Sequence, residues 1–415
     1  MNATRTAATA LAVTLAIQVF TSLAGTATAV LAPAIALDAG VAPALVGVFV
    51  GLVYSGAMAA SLLSGRAIER LGPIRVSQIC VLLCAGGLAL VPLATGTGTA
   101  AAIAALAVGA VVIGFGYGPI TPASSQVLAH TAPPERMALT FSIKQTGVPA
   151  GAALAGATLP ALALSFGWRP ALFAVVAIGV VIALISEPSR AALDTASRDA
   201  DAPRSGGSIV GPLRLVLADH TLRELAFVSF GYAATQVSLT SFLVVYLADG
   251  LGHSLVAAGL ALTVATIGGV VGRIAWGALA DRLESPRRVL AGLGIAAAVA
   301  AFATASFGTG WPWPWVLVVC AAFGATAIGW NGVQLSELAR HAPPGKAGAI
   351  TGGAGVITFA GVVIGPPTFA MLASITGSYR IGFAAIGLAS LACGLWLLAS
   401  GGKRALTDSD GPSIG

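Results

Sequence analysis

The sequence has 415 residues, of which 57% are hydrophobic and only 9% are charged, and its mean hydropathy is +0.93. Ordinary soluble domains carry about 25% charged residues, so this composition excludes a soluble globular protein and predicts a polytopic membrane protein. The net charge of +6 lies in short loops between apolar segments, so we predict no nucleic-acid partner. The 53 glycines are typical of transmembrane helices that pack closely within a lipid bilayer.

Twelve segments reach the ~20 apolar residues that a spanning helix requires. The first follows Arg5 and is longer than the apolar region of a signal peptide, so we interpret it as an uncleaved span. The predicted limits are 8–32, 42–64, 76–95, 100–128, 138–164, 169–186, 224–248, 254–280, 289–307, 313–335, 347–375 and 379–399.

The long polar stretch at residues 187–223 separates six spans from six. We therefore predict an N-terminal six-helix bundle (1–186), a cytoplasmic linker (187–223), a C-terminal six-helix bundle (224–399) and a cytoplasmic tail (400–415). Nearly all loop Lys and Arg residues lie on the side of the N-terminus, whereas the opposite loops hold Arg169 and Arg380. By the positive-inside rule we predict that both termini are cytoplasmic. We expect the protein to lie in the plasma (bacterial inner) membrane.

An internal repeat supports two related halves. Three pairs of segments recur about 211 residues apart: SGRAIERLGPIR (64–75) with WGALADRLESPRR (276–288), APPERMA (132–138) with APPGKAG (342–348), and GWRPALF (167–173) with SYRIGF (378–383). Duplicated helical bundles around a site near the bilayer midplane are a recognised plan of transporters.

The first repeated pair carries a loop signature, G-x-x-x-D-R-x-x-x-R-R, through which the chain resembles the major facilitator superfamily over nearly its whole length. Its residues here are Gly65, Glu69, Arg70 and Arg75 in the first half, and Gly277, Asp281, Arg282, Arg287 and Arg288 in the second. The resemblance implies an all-α membrane protein whose two six-helix bundles rock about a central site. We expect the glycines to let helices cross closely and the carboxylates to act as a conformational latch.

Two subfamily patterns bear on the substrate. Drug–proton antiporters usually carry an Arg in the fourth span and a G-x-x-x-G-P-x-x-G-G string in the fifth, whereas here the fourth has no Arg and GVPAGAALAG matches only in part. Arg273 in GGVVGRIAWGALADR stands in the eighth span, similar to the carboxylate-binding Arg of oxalate:formate antiporters and monocarboxylate transporters. Those porters place the partnering Lys elsewhere, whereas here it is on the fifth span.

That lysine, Lys144, is about 9 Å from the cytoplasmic end of its span, and Arg273 is about 12 Å from the cytoplasmic end of the eighth. In the fold that the resemblance implies, these spans face each other, so both cations should converge. All fifteen Asp and Glu residues fall in loops, in tails or at span ends, and we expect the substrate to supply the anion. The alternative is that both side chains snorkel toward the cytoplasm.

Uncharged candidates for the cavity wall are Tyr117 on the fourth span, Gln236 on the seventh, Asn331 on the tenth and Gln18 on the first. Each could equally make a hydrogen bond between helices without any ligand. Gln145 adjoins Lys144, but successive helical residues point about 100° apart, so we expect only one of the two to be central.

These features predict a secondary transporter of a small mono- or dicarboxylate, acting as a monomer in the bilayer without a cofactor. Proton antiport of amphipathic drugs and a non-transporting receptor are the alternatives. An enzyme is not predicted, because the four His and four Cys residues form no catalytic or metal-ligand pattern. The sequence contains no phosphate-binding loop, so ATP-driven transport is not predicted. Proton coupling, exchange and uniport are all compatible with the sequence.

Overall fold

A computed structural model describes residues 3–40, 45–94, 99–196, 210–308 and 310–409, and these ranges are entirely helical apart from turns and short connections. The helices are α1 Ala3–Val30, α2 Ala32–Ala39, α3 Leu45–Leu71, α4 Pro73–Leu90, α5 Thr99–Tyr117, α6 Ile120–Thr131, α7 Met137–Gln145, α8 Gly147–Phe166, α9 Trp168–Ala196, α10 Gly211–Ala218, α11 His220–Val245, α12 Leu255–Arg282, α13 Pro286–Ala305, α14 Trp313–Ala327, α15 Asn331–His341, α16 Ala347–Thr376 and α17 Tyr379–Ser409.

Twelve spans in the described ranges are long and apolar enough to cross a membrane, which confirms the predicted number and fold class. The fourth, fifth and tenth spans are each built from two helices: α5 with α6, α7 with α8, and α14 with α15. The breaks at 118–119 and 328–330 lie about 211 residues apart, which is the spacing of the sequence repeats. Interrupted spans in corresponding positions of two halves are a pointer to the binding region of a transporter.

The sixth span ends later than the predicted limit of 186, because α9 continues to Ala196. Two of its acidic residues have partners within the same unit: Glu187 pairs with Arg75 at 3.3 Å, and Asp194 Oδ1 accepts from the Ile74 backbone N–H at 2.7 Å. A carboxylate at the start of α4 is favoured by the exposed N–H groups and dipole of that helix end. The charged residues Glu187 and Asp194 therefore make contacts between packed helices and do not end α9.

The predicted linker, 187–223, is described only in part. Its first residues belong to α9 and its last include α10, while residues 197–209 lie outside the described ranges. The predicted tail is helical to Ser409, and residues 410–415 also lie outside them. The division into two bundles joined by a cytoplasmic linker therefore stays a prediction.

Contacts divide the chain into two compact units: Met1–Arg223 with Leu338–Phe359, and Glu224–Glu337 with Ala360–Gly415. Each unit has its own apolar core. The first is built around side chains such as Phe20, Val53, Cys84 and Ile113, and the second around Leu243, Phe323, Phe369 and Phe383.

Helix α16 is shared by the two units, since its residues 347–359 belong to the first and 360–376 to the second. A buried amide holds its beginning: Gln126 Nε2 donates to the Gly345 carbonyl at 3.0 Å, and the Gly348 N–H donates to Gln126 Oε1 at 2.8 Å. Gly348 must be a glycine, because a Cβ atom there would lie 2.9 Å from the Pro122 carbonyl oxygen. Residues 345–348 are therefore fastened to α6 of the first unit.

Candidate functional site

The fifth span is interrupted next to Lys144. Helix α7 ends at Gln145, and the Thr146 backbone N–H is shared between the carbonyls of Ser142 at 3.2 Å and Ile143 at 3.1 Å before α8 begins. Pro149 has no N–H to donate to the carbonyl four residues earlier, that of Gln145, so the regular ladder cannot continue through this point. The fifth span is thus interrupted directly after Lys144 and Gln145.

Lys144 is buried in the first unit, with 1% of its surface exposed. Its ammonium donates to Gln18 Oε1 of α1 at 2.6 Å and to Gln145 Oε1 at 3.0 Å. Two amide oxygens orient the ammonium and replace part of its hydration, but they do not cancel its charge. The structure thus brings together two predicted site residues, Lys144 and Gln18, within one unit.

Gln145 is the residue that the sequence argument excluded from this centre. Neighbouring side chains on a helix diverge by about 100°, which is why only one of the two was expected there. Both residues belong to α7, and their long, flexible side chains bend toward each other although they leave the helix in different directions. The signal for this in the sequence is the length of both side chains, which lets a lysine and a neighbouring glutamine meet on one helix.

The close approach of α1 and the fifth span depends on small residues. A Cβ atom on Gly147 would lie 2.9 Å from Gln18 Cβ, and Ser22 Oγ donates to the Val148 carbonyl at 2.6 Å. A larger side chain at 147 would push Gln18 away from Lys144. The glycine therefore sets the geometry of the amide and ammonium cluster.

Three aromatic rings form a second feature of the first unit. Tyr54, Tyr117 and Phe359 lie with ring centroids 6.1–6.4 Å apart, the tyrosines edge to face. A Cβ atom on Gly25 of α1 would touch the Tyr117 ring at 3.7 Å. Gly25 follows Gln18 by two helical turns, about 10 Å along the same face of α1. Tyr117 was predicted for the site, whereas Tyr54 and Phe359 were not, since a lone aromatic in a span carries no distinguishing pattern.

Arg273 is buried in the second unit, and its Nε donates to the Ile328 carbonyl at 3.0 Å. Ile328 begins the break of the tenth span, where carbonyl groups leave the helical ladder and need other donors. Arg273 is thus directed at this break and stabilises it. Lys144 and Arg273 belong to different units, so their convergence stays a prediction.

The residues after this break meet Gln236 of the seventh span. Gln236 Oε1 accepts from Trp330 Nε1 at 3.1 Å and from Asn331 Nδ2 at 3.0 Å. Trp330 is fully buried, whereas Gln236 and Asn331 are half-buried. The structure therefore joins two more of the predicted residues, Gln236 and Asn331, within the second unit.

The predicted latch residues lie at the ends of α3 and α12. Gly65 and Gly277 are buried, Glu69 and Asp281 are half-buried, and Arg70 and Arg282 are exposed. A Cβ atom on Gly65 would lie 2.9 Å from Ala349 Cβ, so α3 and the first part of α16 do approach closely at this glycine. The latch role of Glu69 and Asp281 stays a prediction.

Asp281→Asn should reduce the maximal transport rate several-fold while leaving substrate affinity within about twofold. The reason is that the carboxylate is expected to stabilise one conformer without touching the ligand. Rate and affinity are measured in proteoliposomes and in detergent, with Glu284→Gln, an exposed acid three residues later, as the matched control. Unchanged transport by the Asp281 variant would contradict the latch.

The acidic residues lie near span ends, as expected, and some of them are buried. Glu224 in the first turns of α11 is 1% exposed, and Glu337 in α15 is 6% exposed, because the tenth span continues to His341. Glu224 pairs with Arg287 at 2.5 Å, and this arginine also donates to the Leu397 carbonyl at 3.2 Å. Arg287 of the repeated signature thus ties together α11, α13 and α17.

Comparison with known proteins decides the family. Residues 14–366 match the profile described as Major Facilitator Superfamily. The chain belongs to this superfamily. Its twelve apolar spans and this membership make it an integral membrane protein.

Two curated members of the superfamily show distant similarity to this chain. An uncharacterized MFS-type transporter of Mycobacterium tuberculosis (strain ATCC 25618 / H37Rv) is 23% identical over 284 residues, 67% of this chain and 61% of the relative. A hexuronate transporter of Bacillus subtilis (strain 168) is 23% identical over 177 residues, 41% of each chain. The matches therefore span about three fifths or less of the length of these curated relatives.

The fold is shared with solved superfamily structures. The E. coli fucose:proton symporter superposes with a TM-score of 0.72 at 18% identity, covering 93% of this chain and 97% of that chain. At this identity the likeness confirms the major facilitator fold and no more.

Proposed function

We propose that this superfamily member is a secondary active transporter that moves a small organic anion, a mono- or dicarboxylate, across the membrane by alternating access. The observation that carries the proposal is the buried Lys144 ammonium, held by the amide oxygens of Gln18 and Gln145 beside the break of the fifth span. A cation in the interior of a membrane protein costs several kcal/mol and by default marks a functional site.

Several details suit a carboxylate at this position. The two amides fix the ammonium in place, so less side-chain freedom is lost when an anion arrives. The charge lies in a region of low dielectric, where it attracts an anion far more strongly than in water. The distant hexuronate transporter supports this proposal weakly, because a hexuronate is a sugar that carries a carboxylate.

Arg273 is the second cation that we assign to anion binding. A planar guanidinium matches a carboxylate through parallel N–H donors, and the Arg273 Nε also donates to the Ile328 carbonyl. In this role Arg273 would couple the anion to the break of the tenth span.

Export of amphipathic compounds is the second candidate, and the aromatic cluster of Tyr54, Tyr117 and Phe359 favours it. These three rings are half-buried and offer faces on which an apolar or cationic body could stack. The aromatic cluster favours an apolar or cationic ligand, whereas Lys144 favours an anion. The charge of the transported compound therefore distinguishes the two functions.

The deciding experiment is transport by the purified protein in proteoliposomes. Radiolabelled acetate, succinate and glucuronate are compared with glucose and with a lipophilic cation, under imposed pH gradients and with preloaded unlabelled anion. We expect uptake or exchange of at least one carboxylate above empty vesicles. Transport of the cation, without any carboxylate, would establish drug export instead, and the preloaded vesicles distinguish exchange from uniport and proton coupling.

A further inference from the structure

The amide cluster of the second unit has a fixed orientation. The indole N–H of Trp330 can only donate a hydrogen bond, so the Gln236 atom that faces it at 3.1 Å must be the acceptor Oε1. The Asn331 atom that lies 3.0 Å from this oxygen must then be the donor Nδ2. One buried tryptophan therefore determines which way both amides point.

In this orientation the amino group of Gln236 and the carbonyl group of Asn331 take no part in the hydrogen bonds between the three residues. Within the part of the chain that the structure describes, no group hydrogen-bonds to Gln236 Nε2 or to Asn331 Oδ1. Both residues are half-buried and lie near the middle of their spans, His220–Gly250 and Trp313–His341. A polar group that meets no partner at this depth is costly, so these two groups need water or a ligand.

A hydroxyl is the group that complements this pair. It can accept from Gln236 Nε2 and donate to Asn331 Oδ1 at the same time, whereas a carboxylate can only accept and would be repelled by the Asn331 oxygen. An alkyl group would leave both amide groups without hydrogen bonds, which is the most effective way for a site to reject a ligand.

We infer that Gln236 and Asn331 determine specificity by binding a hydroxyl of the substrate, with Trp330 as the positioning residue that orients both amides. This inference rests on the proposed function and narrows it: the transported anion is a hydroxylated carboxylate, such as a sugar acid or a hydroxy acid. A simple fatty acid lacks the group that this pair selects.

The test compares two six-carbon carboxylates, D-glucuronate and n-hexanoate, by calorimetric titration of the purified full-length protein. The wild type should bind glucuronate at least fivefold more tightly. Gln236→Met and Asn331→Leu should each weaken glucuronate binding about fivefold, the usual value of one hydrogen bond, while hexanoate binding stays within twofold. Thr240→Val, which removes a hydroxyl bonded to its own helix one turn away, should change neither affinity.

Trp330→Phe keeps both amides and removes only the donor that orients them, so it should also lower the preference for glucuronate. This variant keeps the test valid if an amide variant fails to fold. Equal losses of both ligands, or a wild type that prefers hexanoate or binds neither carboxylate, would overturn the inference.

D-Glucose separates this inference from the proposed function. If glucose binds as tightly as glucuronate and depends on Gln236, the hydroxyl contact stands and the anion function fails. If both carboxylates bind equally and both require Lys144, the anion function stands and the hydroxyl inference fails.

Discussion

Replacing Lys144 with methionine should weaken binding of the transported anion at least tenfold, with a matching rise in the concentration needed for half-maximal transport. Methionine keeps the length and apolar stem of the side chain but removes the charge that Gln18 and Gln145 orient. Truncating one partner of a desolvated charge pair typically costs about 2–5 kcal/mol, which corresponds to a loss of more than tenfold. Equilibrium binding and initial transport rates measure the two effects.

Two further variants make the Lys144 result specific. Lys346→Gln removes the same charge from the loop before α16 and should leave affinity within about twofold. Lys144→Arg keeps the charge in a larger, planar group and should retain part of the affinity. If Lys144→Met binds the anion as tightly as the wild type, the ammonium has only a packing role and the carboxylate proposal is wrong.

The combination with Arg273→Lys tests whether both cations act on one ligand. Lysine keeps the charge of Arg273 but loses the planar fork and the Nε donor to the Ile328 carbonyl. If the two residues bind the same anion, the double variant should differ from the sum of the single variants by more than 0.5 kcal/mol, the range seen for interacting residues. Strict additivity would place the two residues at independent sites.

Arg287→Leu should destabilise the protein by about 3–5 kcal/mol, the usual cost of removing one partner of a buried ion pair. The Glu224 side chain is fully buried, so the variant would leave an uncompensated carboxylate in the interior of the second unit. The loss also removes the bond from Arg287 to the Leu397 carbonyl in α17. Thermal unfolding in detergent, followed by circular dichroism, would show it as a lower midpoint.

A double-mutant cycle gives the control for this prediction. Replacing both residues, Arg287→Leu with Glu224→Leu, should recover much of the lost stability, because no buried charge is left without a partner. Arg288→Leu, the next residue in the signature and more exposed, should have little effect. A double variant as unstable as Arg287→Leu alone would show that the ion pair is not the cause.

The number of spans could be predicted from the sequence because hydrocarbon imposes the same requirement on every crossing segment. The ends of the spans could not be predicted, because a span defined by its apolar residues ends at the first charged residue. In α9 the helix continues past Glu187 to Ala196, because Arg75 and the start of α4 provide partners for its acids. Such partners are distant in sequence and become apparent only in three dimensions.

The candidate site was predictable in its residue types and less so in its contacts. Lys144, Gln18, Gln236 and Asn331 stand out as polar residues within apolar spans, and the structure joins them in pairs. Gln145 was noticed but not expected beside Lys144, and Tyr54 and Phe359 did not stand out. The Gln145 side chain reaches Lys144 by bending along the helix, and the aromatic residues gain meaning only from their distance to one another.

Because α16 contributes residues 347–359 to the first unit, that unit is not a continuous stretch of the chain. The buried Gln126 amide finds its partners, the Gly345 carbonyl and the Gly348 N–H, only after α11 to α14 of the second unit have been synthesised. The first unit therefore cannot be completed during translation in simple N- to C-terminal order, although domains generally do fold in that order. Its final closure has to wait for nearly the whole chain to leave the ribosome.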